Sequence, residues 1–178
     1  KLINWADKEK KLFEIFKNYK KHSDYDCIIP VSGGKDSYFQ VLKIKEFGFK
    51  PLCITATTDK LTEIVIYNIE NLKKIGVDYL EVSTNPKIRR KINKFTLETV
   101  GDISWAEHLT IFTIPAKFSC SLQIPLIIWG ENPQNENGGP IDKENEINLD
   151  RAWLEEFGGL LGLRTSDLED VLGIETNK

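Results

Sequence analysis

A single alternation most constrains this chain: short strand-like runs, each closing on a polar or glycine turn, separated by stretches of helical period. "CIIPV" (Cys27 to Val31) is an unbroken apolar run ending in Ser-Gly-Gly, as expected of a strand buried on both faces of a parallel sheet. "PLCITAT" (Pro51 to Thr57), "DYLEVST" (Asp78 to Thr84) and "PLIIWG" (Pro125 to Gly130) repeat the theme. Between them, Phe39, Leu42 and Phe47 mark a helix over Ser37 to Phe47 capped by Gly48. Leu61, Ile64, Val65, Ile69, Leu72 and Ile75 line a second helix stopped by Gly76. A basic helix over Pro86 to Thr99 and an apolar one over Trp105 to Gln123, bent at Pro115, precede the fourth strand. Ahead of all this, Leu12, Phe13, Phe16 and Tyr19 give an amphipathic helix over Lys8 to Lys21. The pattern predicts an α/β fold, an open and mostly parallel sheet with helices on both faces.

In such sheets ligands collect beyond the carboxyl ends of the strands. That rule gathers Ser32–Ser37, Thr55–Asp59, Thr84–Asn85 and Gly130–Gly139 into one expected rim. The chain divides into an N-terminal helical segment (1–25), a nucleotide-binding domain (26–140) and a C-terminal helical extension (141–178). In that extension "TSDLEDVLG" is expected to start on a Thr165 or Ser166 cap.

The bulk numbers exclude little but exclude it clearly. At 178 residues, 40% hydrophobic and 29% charged, the chain can bury a self-sufficient core, and its longest apolar runs are far too short to cross a bilayer. A net charge of −3 gives no general electrostatic pull toward nucleic acid. The three cysteines, Cys27, Cys53 and Cys120, form neither a disulfide framework nor a CxxC zinc pair, and read as free thiols of a cytoplasmic protein. The N-terminus is not a secretory signal, and a chain without any methionine reads as part of a longer protein.

The turn after the first strand carries the chemistry. Two glycines between a strand and a helix let the backbone approach a ligand closely and aim unpaired N–H groups at one point, at the positive end of a helix dipole. An anion fits there, the loop donors dominating at about 1.5–3 kcal/mol per charge-assisted bond against about 0.3–1 kcal/mol for the dipole. A nucleoside-triphosphate P-loop requires a glycine where Ile29 stands and Ser or Thr where Asp36 stands, and the G-x-G-x-x-G dinucleotide fingerprint fails because Gly33 and Gly34 are adjacent.

Ser32-Gly33-Gly34-Lys35-Asp36-Ser37 resembles instead the S-G-G-x-D-S pyrophosphate loop of the PP-loop ATP pyrophosphatase superfamily, at every fixed position and in the expected strand-turn-helix setting. The resemblance implies the adenine nucleotide alpha hydrolase-like fold, with ATP and Mg²⁺ as cofactors. It implies that Ser32, Gly33, Gly34 and Ser37 hold the departing pyrophosphate, that Asp36 positions the loop or a magnesium ion, and that Thr55, Ala56, Thr57 and Gly130 lie against the nucleotide. Lys35 occupies the variable position, either neutralising phosphate charge or simply solvated. Catalytic roles are expected of Lys35, Asp36 and Ser37.

With "NIENLKKIGVDYLEV", "GDISWAEHL" and "IPLIIWGENPQNENGG" added, the chain from Ile3 to Gly139 looks like the N-acetyl sugar amidotransferases of surface-polysaccharide biosynthesis. Relatives of that kind carry a cysteine-rich segment before this region and extend further at the C-terminus. The implied reaction adenylates the acetamido oxygen of an N-acetylated, often nucleotide-linked sugar and then displaces AMP with ammonia, giving an acetamidino group. The implied partners are a glutaminase and a barrel-type ammonia-channel subunit like those of imidazole glycerol phosphate synthase. On the substrate side Glu131, Asn132, Glu136 and His108 are candidates, with Asp36, Glu131 and Glu136 as magnesium ligands, since Mg²⁺ takes a few carboxylates plus phosphate.

Plainer readings stand beside these. The Asn- and Gly-rich stretch after Gly130 reads equally as a long turn. His108 reads as a partly exposed helical histidine, and Asp102 or Ser104 as a helix cap. "PKIRRKINK" (Pro86 to Lys94) reads as a solvated basic face, or as a grip for a sugar diphosphate or RNA. Two other functions fit the same loop: a tRNA-modifying PP-loop enzyme of the thiolase or lysidine synthetase kind, and a noncatalytic adenine-nucleotide-binding module.

Overall fold

The computed structural model describes residues 3–20, 24–58, 60–130, 151–156, 159–169 and 173. Its elements are α1 (Trp5–Tyr19), β1 (Cys27–Pro30), α2 (Lys35–Glu46), β2 (Pro51–Thr57), α3 (Glu63–Lys74), β3 (Asp78–Ser83), α4 (Pro86–Val100), α5 (Trp105–Leu122), α6 (Arg151–Glu156) and a 3-10 turn over Thr165–Leu168. Contacts group the chain into two compact units, 1–82 with 113–130 and 83–112 with 131–178.

The first unit holds the sheet, ordered β1-β2-β3. β1 and β2 are parallel, with Cys27 opposite Pro51 and Pro30 opposite Ile54. Alternation along β1 sends Cys27 and Ile29 to one face and Ile28 to the other. On the first face they join Val31 and Cys53 against Phe16 of α1, Val41 and Ile44 of α2 and Leu72 of α3. On the second, Ile28, Leu52 and Ile54 pack with Ile114 of α5, Ile124 and Phe118. Helices therefore cover both faces, and burying each such aliphatic side chain contributes about 1.5–3 kcal/mol.

Three expectations need correction. The predicted fourth strand is a single parallel bridge, Ile28 to Ile127, held by Ile28 N–H to Leu126 O and Ile128 N–H to Ile28 O, both 2.9 Å. Pro125 has no N–H to extend that ladder backwards. α1 starts three residues before the predicted Lys8, because the Asn4 side chain accepts from Asp7 N–H and caps it. The 3-10 turn is capped at Arg164 rather than at Thr165 or Ser166, because the Asp167 carboxylate reaches back to accept the Arg164 N–H at 2.8 Å. α5 runs through Pro115, which leaves one carbonyl of the preceding turn without its donor.

In the second unit Trp105, Leu160 and Leu168 form the core, with Ile92, Phe95, Leu109 and Leu163 against them. Trp105 Nε1 donates to Leu160 O at 2.8 Å. Arg89 pairs with Glu107 at 3.1 Å and Asn93 donates to both Glu107 oxygens at 2.9 Å, which ties α4 to the start of α5. No helix among the described residues is long and apolar enough to cross a membrane.

Cys27 and Cys53 are free and buried, and Cys120 is free and exposed. Burial, the main cause, pushes both buried thiols up to about 12. A protonated thiol in the folded chain that ionises near its ordinary 9.0 once unfolded leaves stability untouched below that pH and lowers it from there toward about 12. Urea midpoints are therefore expected to drop between pH 8 and pH 10.5 in the wild type and to drop less in a Cys27→Ala/Cys53→Ala double variant. An equal drop in both proteins would assign the alkaline loss to other groups.

Candidate active site

The site grows out of the carboxyl end of β1. Val31 N–H continues the ladder to Ile54 O at 2.9 Å, and the Thr55 hydroxyl donates to Val31 O at 2.6 Å, closing the strand end. Gly33 then takes a left-handed φ of +78° that only glycine adopts cheaply. A Cβ there would sit 2.9 Å from Val65 Cγ1 and 3.2 Å from Val65 O, so α3 presses directly against the turn.

Gly34 is the N-cap of α2, with no side chain bonding the helix start. The first helical bond is Tyr38 N–H to Gly34 O at 3.2 Å. The N–H groups of Lys35, Asp36 and Ser37 thus lie in the first turn, where a helix offers no internal acceptor. Within the turn, Gly34 N–H donates weakly to Ser32 Oγ at 3.4 Å, and the buried Ser37 donates to Gly34 O at 3.0 Å. Asn68 of α3 donates from Nδ2 to Gly33 O at 2.8 Å. Gly33, Gly34, Ser37, Tyr38, Asn68, Ile69 and Leu72 together line a small cavity.

Lys35 and Asp36 pair with one another at 2.7 Å, with side chains 88% and 75% exposed. So open a pair contributes little to stability and separates readily, freeing an ammonium for phosphate and a carboxylate for a cation. Mg²⁺ takes one or two carboxylates and completes its shell with phosphate oxygens and water, so Asp36 beside an amide-lined turn fits it. Among the described residues no three His, Cys, Asp or Glu side chains cluster as a ready metal cage.

The other expected residues fall differently. The Thr55 hydroxyl is engaged in the fold, and the Thr57 hydroxyl donates to Glu81 Oε1 at 2.9 Å, which leaves Ala56 half-buried between them at the end of β2. Gly130 sits against Gln40, whose amide atoms would lie 3.3 Å from an added Cβ. Gln40 Nε2 also donates to Trp129 O at 2.8 Å, so α2 carries both the turn and a tether to the end of the 125–130 segment. Glu131, Asn132 and Glu136 lie outside the described residues. His108 belongs to the second unit, where its Nδ1 is 3.7 Å from Asp102 Oδ2 and Gly159, with φ +85°, packs over it. Asp102 Oδ1 accepts from Ser104 N–H at 2.7 Å in the turn ahead of α5, whose first helical bond runs from His108 N–H to Ser104 O.

The sequence reading missed Asn68, Val65 and Gln40. Asn68 left a trace: it is the polar residue on the face of α3 that carries Val65, Ile69 and Leu72.

No protein-family model matches the chain. An uncharacterized protein of Methanocaldococcus jannaschii is 36% identical over 73 residues, 40% of this chain and 26% of that protein. Among solved structures, the NH3-dependent NAD synthetase of Campylobacter jejuni, in complex with nitrate, matches with a TM-score of 0.54 at 14% identity, over 78% of this chain and 62% of its own. NMN synthetase of Francisella tularensis matches with a TM-score of 0.53 at 15% identity, over 98% of this chain and 83% of its own. The chain shares the α/β fold of these two synthetases. It spans about a quarter of the curated relative and under two-thirds of the NAD synthetase.

Proposed function

We propose that this chain is the ATP-dependent part of an amidotransferase that adenylates the acetamido oxygen of an N-acetylated sugar and exchanges AMP for ammonia. The observation that carries the reading is the uncapped first turn of α2, presented by a left-handed Gly33 and bearing the whole Ser32–Ser37 motif. The fold's likeness to a synthetase described as NH3-dependent supports nitrogen transfer as the second step. The sugar acceptor rests on the sequence resemblance over Ile3 to Gly139.

The chemistry follows from the groups present. The acetamido oxygen attacks the α-phosphorus of ATP, the bond from that phosphorus to the bridging oxygen breaks, and pyrophosphate leaves. The N–H groups of Gly34, Lys35, Asp36 and Ser37, the Ser32 and Ser37 hydroxyls and the Lys35 ammonium receive the growing charge; removing one comparable donor costs about 2.7–4 kcal/mol. Magnesium, held by Asp36 and the phosphates, would neutralise part of the same charge. Ammonia adds to the imidate carbon, AMP departs with the former carbonyl oxygen, and a proton is released. A glutaminase partner, implied by the sequence resemblance, supplies the ammonia, and the buried Cys27 and Cys53, pushed up to about 12, offer no thiolate of their own for that step.

The test is mass spectrometry of UDP-linked di-N-acetyl sugars and acetamido nonulosonic acids incubated with the protein, ATP, Mg²⁺ and either ammonium or glutamine. The expected product is lighter by the difference between oxygen and NH, appears with ammonium and not with glutamine alone, and is accompanied by AMP and pyrophosphate. ATP consumption driven by a tRNA and by none of the sugars would replace this acceptor with the nucleic-acid one.

A further inference from the structure

Two adjacent glycines make the peptide unit joining them the easiest in the turn to rotate, since neither residue has a Cβ to restrict it. The planar trans peptide puts the Gly33 carbonyl and the Gly34 N–H on opposite sides of one rigid unit. Whatever holds the carbonyl therefore decides where the N–H points. Asn68 Nδ2 donates to that carbonyl at 2.8 Å, from a partly buried position, while Val65 crowds the Gly33 Cα from the same helix. The Gly34 N–H is thereby directed to the Ser32 side of the turn, where it meets Ser32 Oγ at 3.4 Å, a long contact that a stronger acceptor readily displaces. The reversed peptide would point a carbonyl oxygen at an incoming anion.

We infer that Asn68 is a positioning residue for the pyrophosphate turn: by holding the Gly33 carbonyl, it keeps the Gly34 N–H aimed at the anion before the anion arrives. The inference rests on the proposed function for the identity of the anion, and on the structure alone for the hold on the peptide. Asn68 bonds the carbonyl edge of this peptide, opposite its N–H. Its contribution is preorganisation of a donor rather than contact.

Asn68→Leu removes the donor with a side chain that suits the neighbouring Ile69 and Leu72, and Asn68→Asp replaces it with an acceptor that repels the carbonyl and favours the flipped peptide. Two readouts decide the matter in the whole chain. In free protein followed by NMR, both variants are expected to shift the Gly34 amide resonance and speed its hydrogen exchange. In titrations with inorganic pyrophosphate and Mg²⁺, affinity is expected to fall about tenfold for Asn68→Leu and further for Asn68→Asp, with melting still well above the assay temperature. A merely structural asparagine would lower the melting temperature and leave pyrophosphate affinity unchanged, which would overturn the inference, as would an unaltered Gly34 amide. Should wild type itself fail to bind pyrophosphate, the proposed function falls, and the Gly34 resonance still reports whether Asn68 holds the peptide.

Discussion

On the proposed function, Asp36→Ala and Ser37→Ala are each expected to lower sugar- and magnesium-dependent pyrophosphate release by about two orders of magnitude or more. The two substitutions reach that result by different routes. Ser37 is buried in the first turn of α2 and its hydroxyl donates to Gly34 O, so its removal deletes a group from the turn and loosens the glycine that caps the helix. Alanine is the best helix former, which keeps α2 intact and separates lost chemistry from lost structure. Asp36 is exposed and pairs, among the described residues, with its neighbour Lys35, and its loss removes the carboxylate proposed to share a magnesium ion with the phosphates. Asp36→Asn is the sharper control, since it keeps shape and removes charge; its activity should rise with added magnesium if the carboxylate's job is to hold the metal. Release at the wild-type rate in both alanine variants, with unchanged melting, would remove the turn from the mechanism.

That the strand-turn-helix was legible in a bare sequence follows from how locally it is specified. A strand, a left-handed glycine, a helix cap and three first-turn amides need only contiguous residues, and each leaves its mark in the order of side chains. β2 was legible to the residue because Pro51 and the end of its β-branched run bound it on both sides. What supports the turn was not legible, because it arrives from elsewhere. Asn68 stands 35 positions from the carbonyl it holds and Gln40 stands 89 positions from the one it tethers. Thr55 was expected to lie against the nucleotide, and what the sequence did not show is that its hydroxyl donates to Val31 O across the parallel β1–β2 pair. The fourth strand illustrates the opposite error: composition alone favours it, yet hydrogen-bonding capacity confines it to one bridge.

The largest effect on stability is expected in the second unit, from Trp105→Ala. Trp105 is completely buried against Leu160 and Leu168, with Ile92 and Phe95 of α4 around them. Removing so large a ring costs about 3–5 kcal/mol through lost burial and the cavity left behind. It also strands a polar group: the Leu160 carbonyl loses the Nε1–H that reaches it at 2.8 Å. Trp105→Phe separates the two contributions, because it keeps most of the apolar volume and deletes only the donor, for which about 1–3 kcal/mol is expected. Urea unfolding measures both. If Trp105→Phe proves as damaging as Trp105→Ala, the hydrogen bond dominates; if it is nearly silent, packing does. Gly159 frames the same question from the other side. Gly159, at φ +85°, lets the chain pass His108 on its way to the Leu160 carbonyl, and a Cβ there would meet His108 Nδ1 at 2.7 Å. A Gly159→Ala substitution should therefore weaken the same indole bond without touching Trp105, and combining it with Trp105→Phe should cost less than the sum of the two, the signature of one shared interaction.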